Sequence, residues 1–328
     1  MLCFNSTIVH LQYLKNVCLF VMNYFHEAFK NTLKFLITSS YEILNIYTYI
    51  VFVGLYCIDA KEFSSFLTVL YFMIYHVLLG FSLMMYIRTE SVEEYSTKDL
   101  FPPVKPPSEY DLDLGNINPM FAAEIRERQN TIYKVCDICV RYKPPRSHHC
   151  SVCNKCFLKY DHHCSIFGSC IFFQKYKFFY QFLVYNLIFT LFVCGIYISE
   201  ISKGVNRKAL LISYAINLGL LVVMLIYNGI MLIFHTFLIL NNETTVEYYA
   251  INRYLEGDNT FNKIFQEGPI TTKILREGRN VLNPYNLGYY NNWIEVFGED
   301  IINWFLPIYT TRGDGISFNK NYADEYHI

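Results

Sequence analysis

Residues 209–242 read ALLISYAINLGLLVVMLIYNGIMLIFHTFLILNN, thirty-four consecutive positions without a formal charge. A helix needs about 20 largely apolar residues to cross the hydrocarbon of a bilayer, and this run exceeds that length. It has company. Phe63 to Ile87 is uncharged over 25 residues and Phe178 to Ser199 over 22. Charged residues make up 17% of the 328-residue chain and apolar ones 53%, against a charged share of about 25% in ordinary soluble domains. Three such runs exceed what a soluble core buries, so the chain reads as an α-helical integral membrane protein. A disordered chain is excluded by the same composition. With a formal net charge of −1, no global basicity points to nucleic acid, and none is expected as a partner.

Working outward, Ile43 to Ile58 is uncharged for 16 residues, with Tyr41, Tyr47, Tyr49 and Tyr56 suited to interfacial ends. It predicts a fourth span, joined to the next by the short turn Asp59-Ala60-Lys61-Glu62. The expected order is a cytoplasmic, amphipathic N-terminal segment (1–40), spans 1 and 2 (41–88), a Pro-rich linker (89–132), a cysteine-rich segment (133–177), spans 3 and 4 (178–242), and a polar, aromatic tail (243–328). The N-terminal stretch has no basic region ahead of its apolar residues, so a signal peptide fits poorly and a surface helix fits better. Lys134 to Lys177 holds eight Lys or Arg residues and two acids, Asp137 and Asp161. An excess of basic residues between spans marks the cytoplasmic side. Two spans on each side then bring both termini to that same side.

Seven of the eleven cysteines lie between Cys136 and Cys170. The order is Cys136-x2-Cys139-x9-His149-Cys150-x2-Cys153-x2-Cys156-x4-Asp161-His162-His163-Cys164-x5-Cys170. Gaps of two residues let two thiolates reach one tetrahedral ion, which points to zinc. Cytoplasmic thiols stay reduced, which disfavours a disulfide knot. Two closed sites need eight ligands. The segment offers seven cysteines together with His148, His149, His162 and His163, so six cysteines and two histidines suffice and one thiol remains. Cys164, beside His162 and Asp161, is the spare thiol best placed to be a nucleophile with its base and an orienting acid.

The tetrapeptide Asp161-His162-His163-Cys164 within this frame resembles the DHHC protein S-acyltransferases (palmitoyltransferases). Lys143-Pro144-x-Arg146-x-His148-His149-Cys150 fits the family's zinc-loop pattern. Thr244-Thr245-Val246-Glu247 matches its TTxE motif, and Asn283-Pro284-Tyr285-Asn286-Leu287-Gly288 with Asn292-Trp293 and Val296-Phe297-Gly298 is similar to its C-terminal aromatic motif. The resemblance implies four spans around a cytoplasmic two-zinc domain set between spans 2 and 3. One structural zinc would take Cys136, Cys139, His149 and Cys156, the other Cys150, Cys153, His163 and Cys170. Cys164 would be the nucleophile, His162 its base, and Asp161 the group that fixes the imidazole tautomer. Thr244, Thr245, Glu247 and Asn292 would position the site. The acyl donor would be a long-chain fatty acyl-CoA such as palmitoyl-CoA, its phosphates favoured by the basic surround. The acceptors would be cytoplasmic cysteines of membrane-associated proteins, and the location an endomembrane, Golgi or endoplasmic reticulum ahead of the plasma membrane. Phe189, about 16 Å along the third helix, is a position at which a bound acyl chain could end.

The chain departs from the family after Cys164, where Ser165-Ile166-Phe167-Gly168-Ser169 replaces Pro-Trp-Val-Asn-Asn. Ile166 stands in the place of the tryptophan, Phe172 in that of a glycine, and Lys175 in that of an asparagine. No ligand or triad member is lost. Other classes fit less well. A zinc-binding scaffold without activity has no need of Asp161, His162 and Cys164 together, and a ubiquitin-ligase RING needs ligand pairs spaced further apart. A channel or transporter places ionisable residues within its spans, and the four runs hold no Asp, Glu, Lys or Arg. Asn217, Asn228 and His235 read as interhelical hydrogen-bond partners, and His148 as structural or exposed.

Overall fold

The computed structural model describes residues 32, 35, 36, 38–59, 65–103, 135–256 and 283–321. The expected N-terminal surface helix therefore lies almost wholly outside the described residues, as do residues 60–64 of the first hairpin and most of the linker. Four helices are long and apolar enough to cross a membrane: Ser40–Ile58, Phe66–Ser91, Tyr176–Lys203 and Lys208–Asn241. The first is α1 (Ser40–Tyr49), which continues as a π-helix over Ile50–Asp59. The others are α2 (Phe66–Ser91), α4 (Tyr176–Lys203) and α5 (Lys208–Asn241), with a short α3 (Thr97–Leu100) after α2. α2 outruns its expected end at Arg88, since long charged side chains at a helix end can reach the interface while the helix continues.

The spans are built inside out relative to a soluble bundle. Along α5, Ile212, Ile216, Val223, Ile226, Ile230 and Ile233 are exposed, whereas Asn217, Asn228 and His235 are buried. With apolar lipid outside, packing and polar contacts hold helices together. The Tyr41 and Ser82 hydroxyls lie 2.8 Å apart, Ser82 Oγ donates to Asn186 Oδ1 (3.3 Å), and Thr48 Oγ1 donates to Asn217 Oδ1 (3.1 Å). These bonds join the first span to the second, the second to the third, and the first to the fourth. Asn217 thus has the interhelical role expected of it. Asn228 is buried with neither amide atom hydrogen-bonded among the described residues.

Between α2 and α4 lie three antiparallel two-stranded hairpins: β1 (Val135–Cys136) with β2 (Arg141–Tyr142), β3 (His148–Cys150) with β4 (Lys155–Phe157), and β5 (His162–Cys164) with β6 (Ser169–Ile171). A tight turn follows the first strand of each. Val140, Asn154 and Gly168 close these turns at φ of 49°, 52° and 59°. The three positions are fourteen residues apart, as are Cys136, Cys150 and Cys164. The module is a short tandem repeat, too short in period to register as a solenoid unit.

The start of the linker does not run free. Ser96 and Asp99 form a capping box on α3, Ser96 bridges to Phe157, and Pro103 bridges to Arg141. Glu94 accepts from the fully buried Lys175 (2.9 Å), so the lysine that departs from the family pattern has found a carboxylate and keeps its charge paired. The tail begins with α6 (Thr245–Leu255) and later forms α7 (Tyr289–Phe297), which packs on the cysteine-module ends of α4 and α5.

Candidate active site and metal clusters

The cysteine ligands meet in two quartets, Cys136, Cys139, His149, Cys156 and Cys150, Cys153, His163, Cys170, each with its donor atoms within 4.8 Å of one another. In the first, the three sulfurs lie 3.7, 3.3 and 3.7 Å from His149 Nδ1. In the second they lie 3.8, 3.4 and 3.6 Å from His163 Nδ1. A zinc tetrahedron with ordinary Zn–S and Zn–N bonds has an S···N edge of about 3.5 Å. The donor sets fit zinc in both number and spacing. Each CxxC turn also aims a backbone N–H at its first sulfur, from Cys139 to Cys136 (3.4 Å) and from Cys153 to Cys150 (3.5 Å). Ladder register completes the quartets by setting His149 opposite Cys156 and His163 opposite Cys170.

Cys164 ends the first strand of the third hairpin and stands outside both quartets. The positions where a third repeat would place its remaining ligands hold Phe167, Lys177 and Val184. Beside it, the buried Asp161 carboxylate accepts from His162 Nδ1 (2.7 Å), from the Thr245 N–H (2.9 Å) and from Thr245 Oγ1 (2.8 Å). Burial opposes ionisation of Asp161, but these bonds and the neighbouring imidazoles outweigh it and hold its pKa at about 2. For His162 burial likewise works against the charged form. Its bond to Asp161 and its contact with Cys164 prevail and raise its pKa to about 10. With Nδ1 held by Asp161, Nε2 has no hydrogen-bond partner among the described residues.

The TTxE segment supplies this arrangement. Glu247 accepts from the Thr244 N–H (2.8 Å) while Thr244 Oγ1 accepts from the Glu247 N–H (3.3 Å), a capping box at the start of α6. The box orients the first turn so that Thr245 presents both donors to Asp161. Glu247 is also gripped by Arg146 through Nε and Nη2, both at 2.7 Å. The same guanidinium donates to Asn242 Oδ1 (3.0 Å) and Asn242 O (2.8 Å), and its face lies against the Tyr285 ring (4.4 Å). A left-handed Asn242 (φ 48°) ends α5 and sends its own amide to Tyr285 O (2.9 Å). Arg146 and Asn242 thus tie the zinc module, α5 and the tail together. Sequence reading placed Arg146 in a motif and Asn242 at the end of the last uncharged run, and gave neither a structural task. The signal available was an Arg in the zinc loop and the Glu that closes the TTxE motif. Asn292 is fully buried and donates to Leu240 O (2.6 Å) and Asn286 Oδ1 (2.7 Å), fixing α7 against the end of α5.

His235 has the interhelical hydrogen-bond role expected of it. It shares a hydrogen bond with the Tyr176 hydroxyl (3.0 Å), and its ring centre lies 5.6 Å from that of His162. Phe179 sits edge-on to both rings. Cys164 itself is buried in an apolar cluster with Tyr41, Met85, Tyr86, Phe167, Ile171, Phe179, Phe182 and Leu183, and Ile166 packs there in the tryptophan's stead. Tyr41 and Met224 belong both to this surround and to a small cavity that Phe189, Thr190 and Leu221 also line. Phe189 is buried and packs edge-on against Tyr75 at 5.2 Å.

Fold and site together define a polytopic helical membrane protein carrying a paired cysteine–histidine metal module. Comparison with known proteins identifies the module: the profile described as DHHC palmitoyltransferase matches residues 129–252, and that segment is a DHHC-family domain. The chain is similar to palmitoyltransferase PFA3 of Candida glabrata, 33% identical over 189 residues that cover 56% of this chain and 54% of that protein. It is also similar to palmitoyltransferase ZDHHC15 of Rattus norvegicus (29% over 200 residues, 60% and 53%) and to the probable protein S-acyltransferase 16 of Arabidopsis thaliana (28% over 222 residues, 63% and 72%). The matched segment spans about half the length of the first two relatives.

Proposed function

We propose that the protein is an S-acyltransferase that first acylates its own Cys164 from a long-chain fatty acyl-CoA and then passes the acyl group to a protein cysteine. One observation carries the reading: the single thiol of the module outside both metal quartets lies beside the Asp161–His162 pair and inside an apolar cluster shared with the spans. In the first step the Cys164 proton lies on His162 Nε2, whose raised pKa makes it the stronger base, and Sγ attacks the thioester carbonyl carbon. The bond to the coenzyme A sulfur breaks, and that sulfur leaves as a thiol with the same proton. In the second step the thiol of an acceptor cysteine attacks the acyl-enzyme, gives its proton to His162, and restores the Cys164 thiol. Asp161, held by Thr245, fixes His162 with Nε2 available throughout.

Zinc bound by the two quartets would cross-link the hairpins and take no part in either step. The acyl chain would run from Cys164 along Tyr41 and Met224 into the cavity beside Phe189, which sets chain length. Tyr41, Asn45, Thr48, Asn186 and Thr190 also line that cavity. Thr48, Asn45 and Thr190 turn their hydrogens to Asn217 Oδ1, Tyr41 O and Asn186 O, which lowers the polarity they offer a hydrocarbon. Both termini and the module face the cytoplasm of an endomembrane, where acyl-CoA and the cysteines of membrane-associated proteins meet. The test is incubation of the purified, reconstituted protein with an alkyne-tagged palmitoyl-CoA. Label that is released by neutral hydroxylamine and absent from Cys164→Ser supports the reading; equal label on Cys164→Ser overturns it.

A further inference from the structure

After α7 the chain runs Glu299-Asp300-Ile301-Ile302-Asn303-Trp304-Phe305-Leu306-Pro307-Ile308-Tyr309-Thr310-Thr311-Arg312, eleven uncharged residues between acidic and basic ends. Only Ile302–Trp304 is helical, as one 3-10 turn. An irregular loop in water leaves its carbonyls to solvent. Here six consecutive carbonyls accept from side chains of the spans. Lys177 Nζ donates to Asn303 O (2.7 Å) and Ile308 O (2.9 Å), and Gln181 Nε2 to Trp304 O (2.8 Å) and Leu306 O (2.9 Å). Tyr185 Oη donates to Phe305 O (2.8 Å) and Arg88 Nε to Pro307 O (3.1 Å). Lys177, Gln181 and Tyr185 are spaced four residues apart on one face of α4, so the clasp is a polar ladder down the side of a spanning helix.

Two further facts fix what lies on the other side. Tyr185 is nine residues past the start of α4, about 14 Å along its axis, which carries the loop well down the spanning part of the helix. The side chains turned away from the clasp are apolar and bare: Ile301, Ile302 (69% exposed), Phe305 (60%), Leu306, Ile308 and Tyr309. This surface continues the exposed apolar faces of α2 and α4, where Val77, Met84, Ile87, Ile188 and Leu191 are open. Non-helical backbone survives at membrane depth only when its polar groups are satisfied by protein, and the clasp does that for the carbonyls from Asn303 to Ile308. Pro307 has no N–H to satisfy. Beyond the loop, Thr310 Oγ1 and Thr311 Oγ1 donate to Phe297 O (2.7 Å) and Val296 O (3.0 Å), and the Arg312 N–H to Glu295 O (3.0 Å), so its far end is stitched back to α7.

We infer that residues 301–309 form a wedge embedded among the acyl chains of the leaflet on the cysteine-module side, with side chains in lipid and carbonyls held by α2 and α4. The occupant of this apolar surface is lipid, and the inference stands independently of the proposed activity.

The chain has two tryptophans, Trp293 and Trp304, so a single-tryptophan probe is within reach. Trp293→Phe/Trp304→Phe/Phe305→Trp, full length and reconstituted in phosphatidylcholine vesicles, is compared with the same protein in phosphatidylcholine brominated near the headgroup end of its acyl chains. Bromolipid should remove about half or more of the emission while aqueous acrylamide removes little, as for a side chain set below the headgroups. Quenching by acrylamide with none by bromolipid places the loop in water and overturns the inference. Resistance to both quenchers means protein covers the loop and overturns it as well. Should Phe305→Trp not fold, Ile302→Trp in the same background reads the same surface. Adding Gln181→Leu strips two carbonyls of their donor and should raise acrylamide quenching about two-fold; an unchanged value rules out the clasp as what holds the wedge.

Discussion

The second and third hairpins of the cysteine module are the same device put to two uses. One reads Ser147-His148-His149-Cys150 and the other Asp161-His162-His163-Cys164. Both pair antiparallel with a strand seven residues on, and both close their turn with a residue of positive φ. In the second hairpin Cys150 finds Cys153, His163 and Cys170 and joins a metal quartet. In the third, Phe167 stands where Cys153 stands in the second, so Cys164 gains no sulfur partner. The acid marks the other difference. Ser147 Oγ is buried with no hydrogen bond among the described residues, whereas Asp161 collects three. An unfinished metal knuckle that gains one carboxylate becomes a thiol–imidazole–acid site. The backbone pairing is the same in both; Phe167 and Asp161 change what the thiol and the imidazole meet.

Cys150→Ser and Cys164→Ser are the sharpest test of that contrast, since they change equivalent positions. Cys150→Ser should lose one zinc of two by elemental analysis and unfold the module, as structural zinc contributes on the order of 10 kcal/mol in small domains. Cys164→Ser should keep both ions and its melting temperature while losing the acyl-enzyme. Equal zinc loss in both variants would erase the distinction between the hairpins.

The acid comes next in size. Asp161→Asn should slow acylation by about 10⁴-fold through the wrong imidazole tautomer, while Ser147→Ala, its counterpart, should leave the rate within a factor of about two. Single-turnover kinetics separate the two. A rate for Asp161→Asn near that of the unaltered protein would show that the third hairpin works without its carboxylate.

A step down is the buried pair that holds the hairpins to the tail. Glu247→Gln leaves Arg146 charged and unmatched where it is almost fully enclosed. It should destabilise the fold by about 3–5 kcal/mol, read as a lowered melting temperature in detergent, with acylation falling as Thr245 loosens from Asp161. Arg146→Met together with Glu247→Leu should recover part of that loss. No recovery would mean that Arg146 matters through Asn242 and Tyr285 instead.

The smallest expected effect concerns what the third hairpin acts upon. Phe189→Ala should move the preference in a palmitoyl- against stearoyl-CoA competition several-fold towards the longer chain, in line with about 1–3 kcal/mol for a pocket methylene or two. An unchanged ratio would put the end of the acyl path elsewhere.

Much of this was legible in the residues. Uncharged runs are readable because a bilayer offers no partner for a charge, so the four spans stand out in one dimension. Zinc demands a number and a type of ligand, so counting gave two sites, while the make-up of each quartet came only with the family resemblance. The task of Arg146 was not legible, since its partner Glu247 lies about a hundred residues away across two spans, and nothing local marks the pair. Nor was the approach of His235 to His162, which its ring makes only because α5 passes behind the third hairpin. The linker's first residues looked free because a capping box on a four-residue helix leaves almost no periodic signal.

Sequence alone determined that the protein lives in a membrane, that its cysteines suit two metal ions, and that one thiol is left over, because these follow from composition, spacing and counting. Tertiary structure decided which chemistry reaches that thiol. Thr245, Phe179, Tyr41 and His235 come to the third hairpin from four different helices, or from the residues that open them. The clasp on residues 303–308 likewise joins donors of α2 and α4 to a loop more than a hundred residues downstream. Such convergence depends on how helices cross and which faces they turn to lipid, and a linear pattern of residues carries no record of either.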